Sequence, residues 1–354
     1  MDPADPTRQT GDRPGWPGLA HLPTPIEPAD RLGAALGLAP GRLWVKRDDC
    51  TGLAGGGNKA RKLEPLCADA LAHGCDTLVT GGGPQSNHVR MTAAAASRLG
   101  LSCTALLAAD PPADDDQPEG NVLLDVLFGA DIRWIGDVPF GETEAAIRAE
   151  AGRLERTGRH CYPIPIGGAS PVGEQGYVRA AREIDDQLDG VGLVVTADGS
   201  GGTHAGLAAG FGSFDRVLGV DVGARPDLAA ALPAKAATAA ARAGLPAPEG
   251  APRIVGDQVG ERYGVPTPAA REALDLAARC EGLVLDPVYT GKALAGLVAA
   301  ARSGRLPAEG RIVFLHTGGM PALFAEGFGR WIAAGPRMSA GDSRRSDLPP
   351  PGEH

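Results

Sequence analysis

Lys46, Lys59, Lys62, Lys235 and Lys292 are the only lysines in a chain whose lysine and arginine together number 34. Arginine supplies the rest of that charge, so each retained lysine invites a task arginine cannot perform. A buried lysine can lose its proton and become a general base or form a Schiff base, whereas arginine stays charged. Lys59 stands in TGLAGGGNKARKLE, directly after three glycines and Asn58, at the entrance of a helix-like segment. The plainer reading of Lys59 is a solvated first-turn lysine. That role also suffices for Lys292, which leads KALAGLVAAA.

A second motif, DGSGGTHAG at 198–206, follows the apolar run GLVVTA and opens another helix. The amides of Gly201, Gly202 and Thr203, with the hydroxyls of Ser200 and Thr203, could form a cup for a phosphate dianion at a helix start. The alternative is a tight strand-to-helix turn that needs glycine only for its backbone angles. The motif departs from G-x-G-x-x-G, and G-x-x-x-x-G-K-[ST] is absent from the sequence, which weakens dinucleotide and nucleoside-triphosphate readings. A third motif, TGGGPQSNHVRMTAAAA, puts Gln85, Ser86 and Asn87 at the start of a long helix. Ser86 there is either a plain N-cap or a ligand for a substrate carboxylate.

These residues need elements to position them. Short apolar runs alternate with Ala-rich segments: LWVKR precedes 60–72, DTLVTGG precedes 87–99, SCTALLA precedes a helix near Val122, and DIRWI precedes 142–156. CYPIPIGG then precedes 176–188, GLVVTAD precedes 203–211, RVLGVDV precedes a helix-rich stretch, and RIVFLHTGG precedes a last helix. Such alternation predicts an α/β fold, a parallel sheet with helices on both faces. In such sheets, ligands collect beyond the carboxyl ends of the strands, where the glycine clusters fall. Residues up to about Ala20 and from about Pro336 onward lack periodicity and are expected to be tails.

The 43% hydrophobic and 22% charged content belongs to a foldable globular chain, and the length of 354 residues suggests about two domains. A net charge of -9 argues against nucleic-acid or anionic-membrane partners and toward a small molecule. No segment reaches the ~20 apolar residues that cross a bilayer. The acidic, Pro/Gly-rich start does not read as a signal peptide, so a cytoplasmic enzyme is expected. The six cysteines and seven histidines show no metal-site spacing, so a metal is not expected.

Together, RDDCTGLAGGGNKARKLE, GGGPQSNHVRMTAAAA, GSGGTHAGLAAG, DPVYTGKALAGL and HTGGMPALF resemble the D-cysteine desulfhydrase and 1-aminocyclopropane-1-carboxylate deaminase family of fold-type II pyridoxal-phosphate enzymes. The resemblance runs in order from about Leu22 to about Trp331. It implies a tryptophan-synthase-β-like architecture of two open parallel-sheet domains with pyridoxal 5'-phosphate in the cleft between them. The larger domain would combine 21–63 with 166–335 and the smaller would hold 64–165, between tails at 1–20 and 336–354. It also implies a homodimer and a small amino-acid substrate.

Residue by residue, the resemblance makes Lys59 the covalent anchor of the cofactor and the base that moves the Cα proton. It gives the phosphate to Lys62, Ser200, Gly201, Gly202 and Thr203, and the phenolic oxygen of the ring to Asn87. Gln85, Ser86 and Asn87 would meet the substrate carboxylate, with Ser86 a candidate catalytic group. Tyr263 and Tyr289 match the two active-site tyrosines of the family. Lys59 is the natural cation to depress a tyrosine pKa from about 10. Thr317 would lie near the pyridine nitrogen. The deaminase branch has Glu directly after the second tyrosine, facing that nitrogen, where this chain has Thr290; the desulfhydrase branch therefore fits better.

The expected reaction is β-elimination of D-cysteine to pyruvate, ammonia and hydrogen sulfide. The rivals are a lyase or deaminase acting on L-cysteate, β-chloro-D-alanine, D-serine or 1-aminocyclopropane-1-carboxylate, and a non-catalytic binding protein on the same fold. Glu174 and Gln175 replace the small or apolar residues expected before Gly176, at the substrate pocket or its rim.

Overall fold

The structure is a computed structural model in which residues 15–113, 117–325 and 327–334 are described. The chain opens with β1 (Ile26–Pro28), α1 (Asp30–Ala35), β2 (Leu43–Lys46) and α2 (Lys59–Ala72). It continues with β3 (Thr77–Gly82), α3 (Asn87–Leu99), β4 (Ser102–Leu107), α4 (Gly120–Leu127), β5 (Asp131–Trp134), α5 (Phe140–Glu155) and β6 (Cys161–Pro163). Next come α6 (Gln175–Gln187), β7 (Val191–Asp198), α7 (Gly202–Phe211), β8 (Val217–Asp221), α8 (Leu228–Arg242) and β9 (Arg253–Val255). It ends with α9 (Pro268–Glu281), α10 (Thr290–Arg302), β10 (Arg311–Leu315) and α11 (Phe328–Ala333).

Two sheets result, one of six strands in the order β1-β2-β10-β7-β8-β9 and one of four in the order β5-β4-β3-β6. Their pairings are parallel except at the edge, where β1 runs antiparallel to β2. The apolar runs sit inside because helices cover both faces. On β7, Leu193 and Val195 pack toward Ala273, Leu294 and Leu297 of α9 and α10. Val194, pointing the other way, meets Tyr177, Leu207 and Leu232 of α6, α7 and α8. In the smaller sheet Leu78 packs with Leu63, Leu66 and Met91, and Val79 packs with Ile147 on the opposite face. Each fully buried large apolar side chain contributes about 1.5–3 kcal/mol. Among the described residues, no helix is long and apolar enough to cross a membrane.

The N-terminal tail expected to reach residue 20 is shorter than that. Leu19 is fully buried, and the Glu64 carboxylate of α2 accepts the amide hydrogens of Gly18 and Ala20 at 3.0 and 2.8 Å. The stretch is polar and aperiodic in sequence, yet a buried carboxylate captures its backbone. Residues 1–14 and the expected tail from 336 lie outside the described residues. The expected boundary between 63 and 64 falls inside α2, which packs on the smaller sheet from Ala60 onward.

An ion network fixes α2 against the larger sheet. Arg61, 1% exposed, donates to both oxygens of Asp48 at 2.8–2.9 Å and to both oxygens of Glu183 at 2.8 Å. Tyr177 also donates to Asp48. Breaking one member would strand buried charge, at a cost of about 3–5 kcal/mol. Lys59 stands two residues before this anchor, at the first position of α2.

Candidate active site

Loops from the carboxyl ends of β3, β7 and β10 converge with the start of α2 on one cavity of about 180 Å³. Of the lysines, Lys59 and Lys62 line it. Lys46 is instead paired with Glu183, and Lys292 donates to the Val259 carbonyl at 2.8 Å. This separates Lys59 from its competitor Lys292, which the spacing of sequence motifs left open.

The loop before Lys59 is possible only with glycine. A side chain on Gly56 would place its Cβ 1.7 Å from the Asp49 carbonyl, at a φ of +81°. The Thr51 hydroxyl exchanges two 2.8 Å hydrogen bonds with the backbone of Gly57. Asn58 then joins three loops: its amide donates to the Thr317 carbonyl and its side chain donates to Thr203 Oγ1, both at 3.0 Å. Lys59 is half-buried at the cavity wall. Burial, aided by the Arg90 guanidinium and opposed by Asp286, lowers its ammonium from 10.5 to about 8. At pH 7 roughly one molecule in ten then carries a neutral amine, against fewer than about one in a thousand at the ordinary value.

Across the cavity, α7 points its N-terminus at Lys62. Ser200, Gly201 and Thr203 line the cavity, and Gly202 lies directly behind. A Cβ on Gly202 would stand 3.0 Å from Lys62 Nζ and 2.9 Å from the Ala169 Cβ, so glycine keeps the cup open to its lysine. Lys62 Nζ donates to the Gly167 carbonyl at 3.1 Å. Burial and the neighbouring Lys59 cation pull its ammonium well below the ordinary value. An anion drawn to the helix start would restore that charge, so the donor set fits a phosphate.

Ser86 and Asn87 also line the cavity. Ser86 caps α3, its Oγ accepting the Val89 amide at 3.3 Å, which leaves its hydroxyl proton to donate. Arg90 donates to the Asn87 Oδ1 at 2.9 Å, so the Asn87 amide NH₂ is the group left for an oxygen in the cavity. Gln85 does not line the cavity: its amide accepts from the Asn121 backbone at 2.8 Å and donates to the Glu119 carbonyl at 3.1 Å. It ties the loop before α3 to α4 instead of facing substrate.

Tyr263 and Tyr289 line the cavity edge to face, and their hydroxyls hydrogen-bond each other. The expectation that a cation depresses their pKa fails. Burial pushes Tyr263 above its ordinary value and Tyr289 well above it, so both phenols stay protonated. Thr317 lines the cavity, but Thr290 does not. Thr290 is fully buried with its hydroxyl donating to Asp286 Oδ1 at 2.6 Å, so its hydroxyl is committed to organising the start of α10. Glu174 and Gln175 likewise lie off the cavity lining, neither in the pocket nor at its rim.

Sequence reasoning missed three groups. Arg90, fully buried, also donates to Asn121 Oδ1 at 2.7 Å and to the Gly56 carbonyl at 3.0 Å, joining α3, α4 and the glycine loop. Its signal was an arginine inside the otherwise small and apolar stretch after QSNH. Asp286 accepts the amides of Val288, Tyr289 and Thr290 at 2.8–2.9 Å; an Asp-Pro pair just before a helix was the available sign. His88 lines the cavity, is held neutral by burial, and bonds Thr80 Oγ1 through Nε2 at 3.0 Å.

Residues 18–318 match the family described as pyridoxal-phosphate dependent enzyme. The chain is 44% identical over 317 residues to the D-cysteine desulfhydrase of Salmonella newport, covering 87% of this chain and 94% of that protein. The D-cysteine desulfhydrase of Salmonella schwarzengrund is 44% identical over 320 residues, with the same coverage. A solved structure described as an ACC deaminase homologue aligns at a TM-score of 0.81 and 37% identity, over 89% of this chain and 94% of that one. The processed form of threonine deaminase isoform 2 from Solanum lycopersicum aligns at 0.60 and 17% identity, over 89% and 85%, and speaks to the fold alone. That fold is fold-type II, and the cofactor of this family is pyridoxal 5'-phosphate. Likeness in sequence and in structure thus extends over nearly all of the described chain, which belongs to the pyridoxal-phosphate dependent enzyme family.

Proposed function

We propose that this enzyme eliminates sulfide from D-cysteine, giving pyruvate, ammonia and hydrogen sulfide. One observation carries the reading: Lys59, a lysine brought down to about 8, shares a single small cavity with the anion cup, the Ser86–Asn87 helix start and the tyrosine pair. The name of the 44% identical relatives supplies the substrate and its hand.

Pyridoxal phosphate, when bound, supplies an electron sink for the charge left at Cα when its proton departs. Lys59 would hold it and, once released by the substrate amine, take the Cα proton on Nζ. Lys62, Ser200, Gly201, Gly202 and Thr203 would hold the phosphate, and Thr317 would lie beside the ring. The Asn87 NH₂ would donate to the phenolic oxygen, and Ser86 to the substrate carboxylate. Tyr289 or Tyr263, each kept protonated, would donate to the departing sulfur. α3 rides on the smaller sheet and both tyrosines on the larger body, so closure of one onto the other would complete the site and exclude water. A homodimer is part of the proposal. Leu123, Val126 and Leu127 of α4 and the adjoining Phe324 are 49–72% exposed, an apolar surface suited to a second copy.

The test offers cofactor-loaded protein D-cysteine and L-cysteine in parallel and counts pyruvate and sulfide. Equal release of both products from D-cysteine, abolished by Lys59→Ala, is expected. Silence with both isomers but turnover of L-cysteate, β-chloro-D-alanine, D-serine or 1-aminocyclopropane-1-carboxylate would keep the site and replace the substrate. Turnover by Lys59→Ala would remove Lys59 from the reaction.

A further inference from the structure

The phosphate cup has a second layer of charge that the reaction itself does not use. Its floor is the backbone of residues 166–169. Gly167 presses on the cup, since a Cβ there would stand 2.6 Å from Ser200 Oγ, and Ala169 touches the start of α7 beside Gly202. Two lysines hydrogen-bond to this backbone. Lys62 takes the Gly167 carbonyl at 3.1 Å, and Lys235 of α8 takes the Ala169 carbonyl at 3.0 Å.

Lys235 is in turn held by Glu174 Oε1 at 3.4 Å. Glu174 is fully buried, and its Oε2 has no hydrogen-bond partner among the described residues. The fold brings this carboxylate beneath the cup through two glycines of α7. A Cβ on Gly206 would come 2.6 Å from the Glu174 carbonyl, and one on Gly210 would come 2.6 Å from Ala181. Gln175 adds a tie to α8, the helix of Lys235, donating to the Ala239 carbonyl at 3.0 Å. A buried carboxylate costs several kcal/mol unless an opposite charge and hydrogen bonds offset it, and the half-buried Lys235 is the cation hydrogen-bonded to Glu174. Here the pair lies off the cavity but grips its floor.

We propose that Lys235 and Glu174 are positioning residues for the cofactor phosphate, pinning the Gly167–Ala169 backbone against the start of α7 so that the cup keeps its shape. The proposal rests on pyridoxal phosphate occupying that cup. Lys235 holds the floor directly; Glu174 acts through Lys235 by fixing its ammonium over Ala169. Neither touches the reacting atoms, so turnover of fully loaded enzyme stays close to that of the parent while retention of the cofactor falls.

The test compares binding of pyridoxal phosphate with binding of pyridoxal, which lacks the phosphate, to cofactor-free parent and variants, read by absorbance after equilibrium dialysis. The ³¹P resonance of the bound cofactor is recorded alongside. Lys235→Met should raise the pyridoxal-phosphate dissociation constant about tenfold, the value of one charge-assisted hydrogen bond, and change pyridoxal binding less than about twofold. The ³¹P resonance should move with it. Glu174→Ala should weaken pyridoxal phosphate in the same selective way, and Glu174→Gln, which keeps an acceptor for Lys235 and suits a variant that must fold, should restore most of the loss. The double variant Lys235→Met with Glu174→Ala should be no worse than Lys235→Met alone.

Equal weakening of both ligands would show a merely structural role and overturn the proposal. Unchanged pyridoxal-phosphate binding in Lys235→Met would overturn it as well. If the parent itself shows no preference for pyridoxal phosphate over pyridoxal, the cup is not the phosphate site, and the clamp fails with it.

Discussion

Replacing Lys59 with methionine should make the cofactor-free protein more stable while removing its chemistry. The ordinary ammonium titrates at 10.5, and burial with the Arg90 cation brings Lys59 to about 8 in the folded chain. The unfolded chain therefore holds the proton more tightly, so stability rises with pH between about 8 and 10.5. At about 1.36 kcal/mol per pH unit, the charged lysine costs the fold at most about 3.4 kcal/mol at pH 7, about 2 at pH 9 and less than about 1 at pH 10. Methionine has a similar length and carries no charge to bury. Urea unfolding of cofactor-free parent and variant at these three pH values measures the difference, and taking it at each pH cancels the titrating groups remote from Lys59. A variant no more stable than the parent at pH 7 would refute the argument. So would an advantage that is the same at pH 7 and pH 10, because it could not come from the Lys59 proton.

Tyr289→Phe should keep the cofactor and its colour but slow elimination about 10- to 100-fold, as expected for losing a positioned proton donor; an unchanged kcat would take Tyr289 out of the proton path. Asp286→Ala should cost about 2–3 kcal/mol, because three backbone amides at the start of α10 lose their acceptor, and urea unfolding reads this. Stability equal to the parent would mean that water replaces Asp286 there. Leu127→Asp should convert a dimer to a monomer at micromolar concentration in sedimentation. A mass unchanged from the parent would place the interface elsewhere.

The local elements were legible because their signals are local. The helix expected over 87–99 is α3, and the segment beginning at Thr203 is α7 less its first residue. The edge strand β1 was missed, since three residues of IEP carry no period to read. Side-chain commitments are not local in this way. Gln85 and Thr290 stand in the motifs, yet each spends its polar atoms on neighbouring backbone or on Asp286, and a motif does not show where an amide or hydroxyl is already engaged. The tyrosine pKa values depart from the sequence expectation for a related reason. Proximity to Lys59 could be guessed, but the depth of burial that outweighs it could not.

The sequence by itself determined the alternation of strand and helix, the glycine loops, and the lysine, serine and tyrosine motifs that identify the family. Each is written in a short window of residues. Only the tertiary structure decided which lysine faces the cavity, because Lys59 and Lys292 both lead Ala-rich helices and differ in what packs around them. It also placed Arg90 beside Lys59, and Glu174 and Lys235 under the cup, across separations of about 30 to 60 residues. Burial and Coulomb energies depend on distances in space, and folding sets those distances for groups that the chain keeps apart.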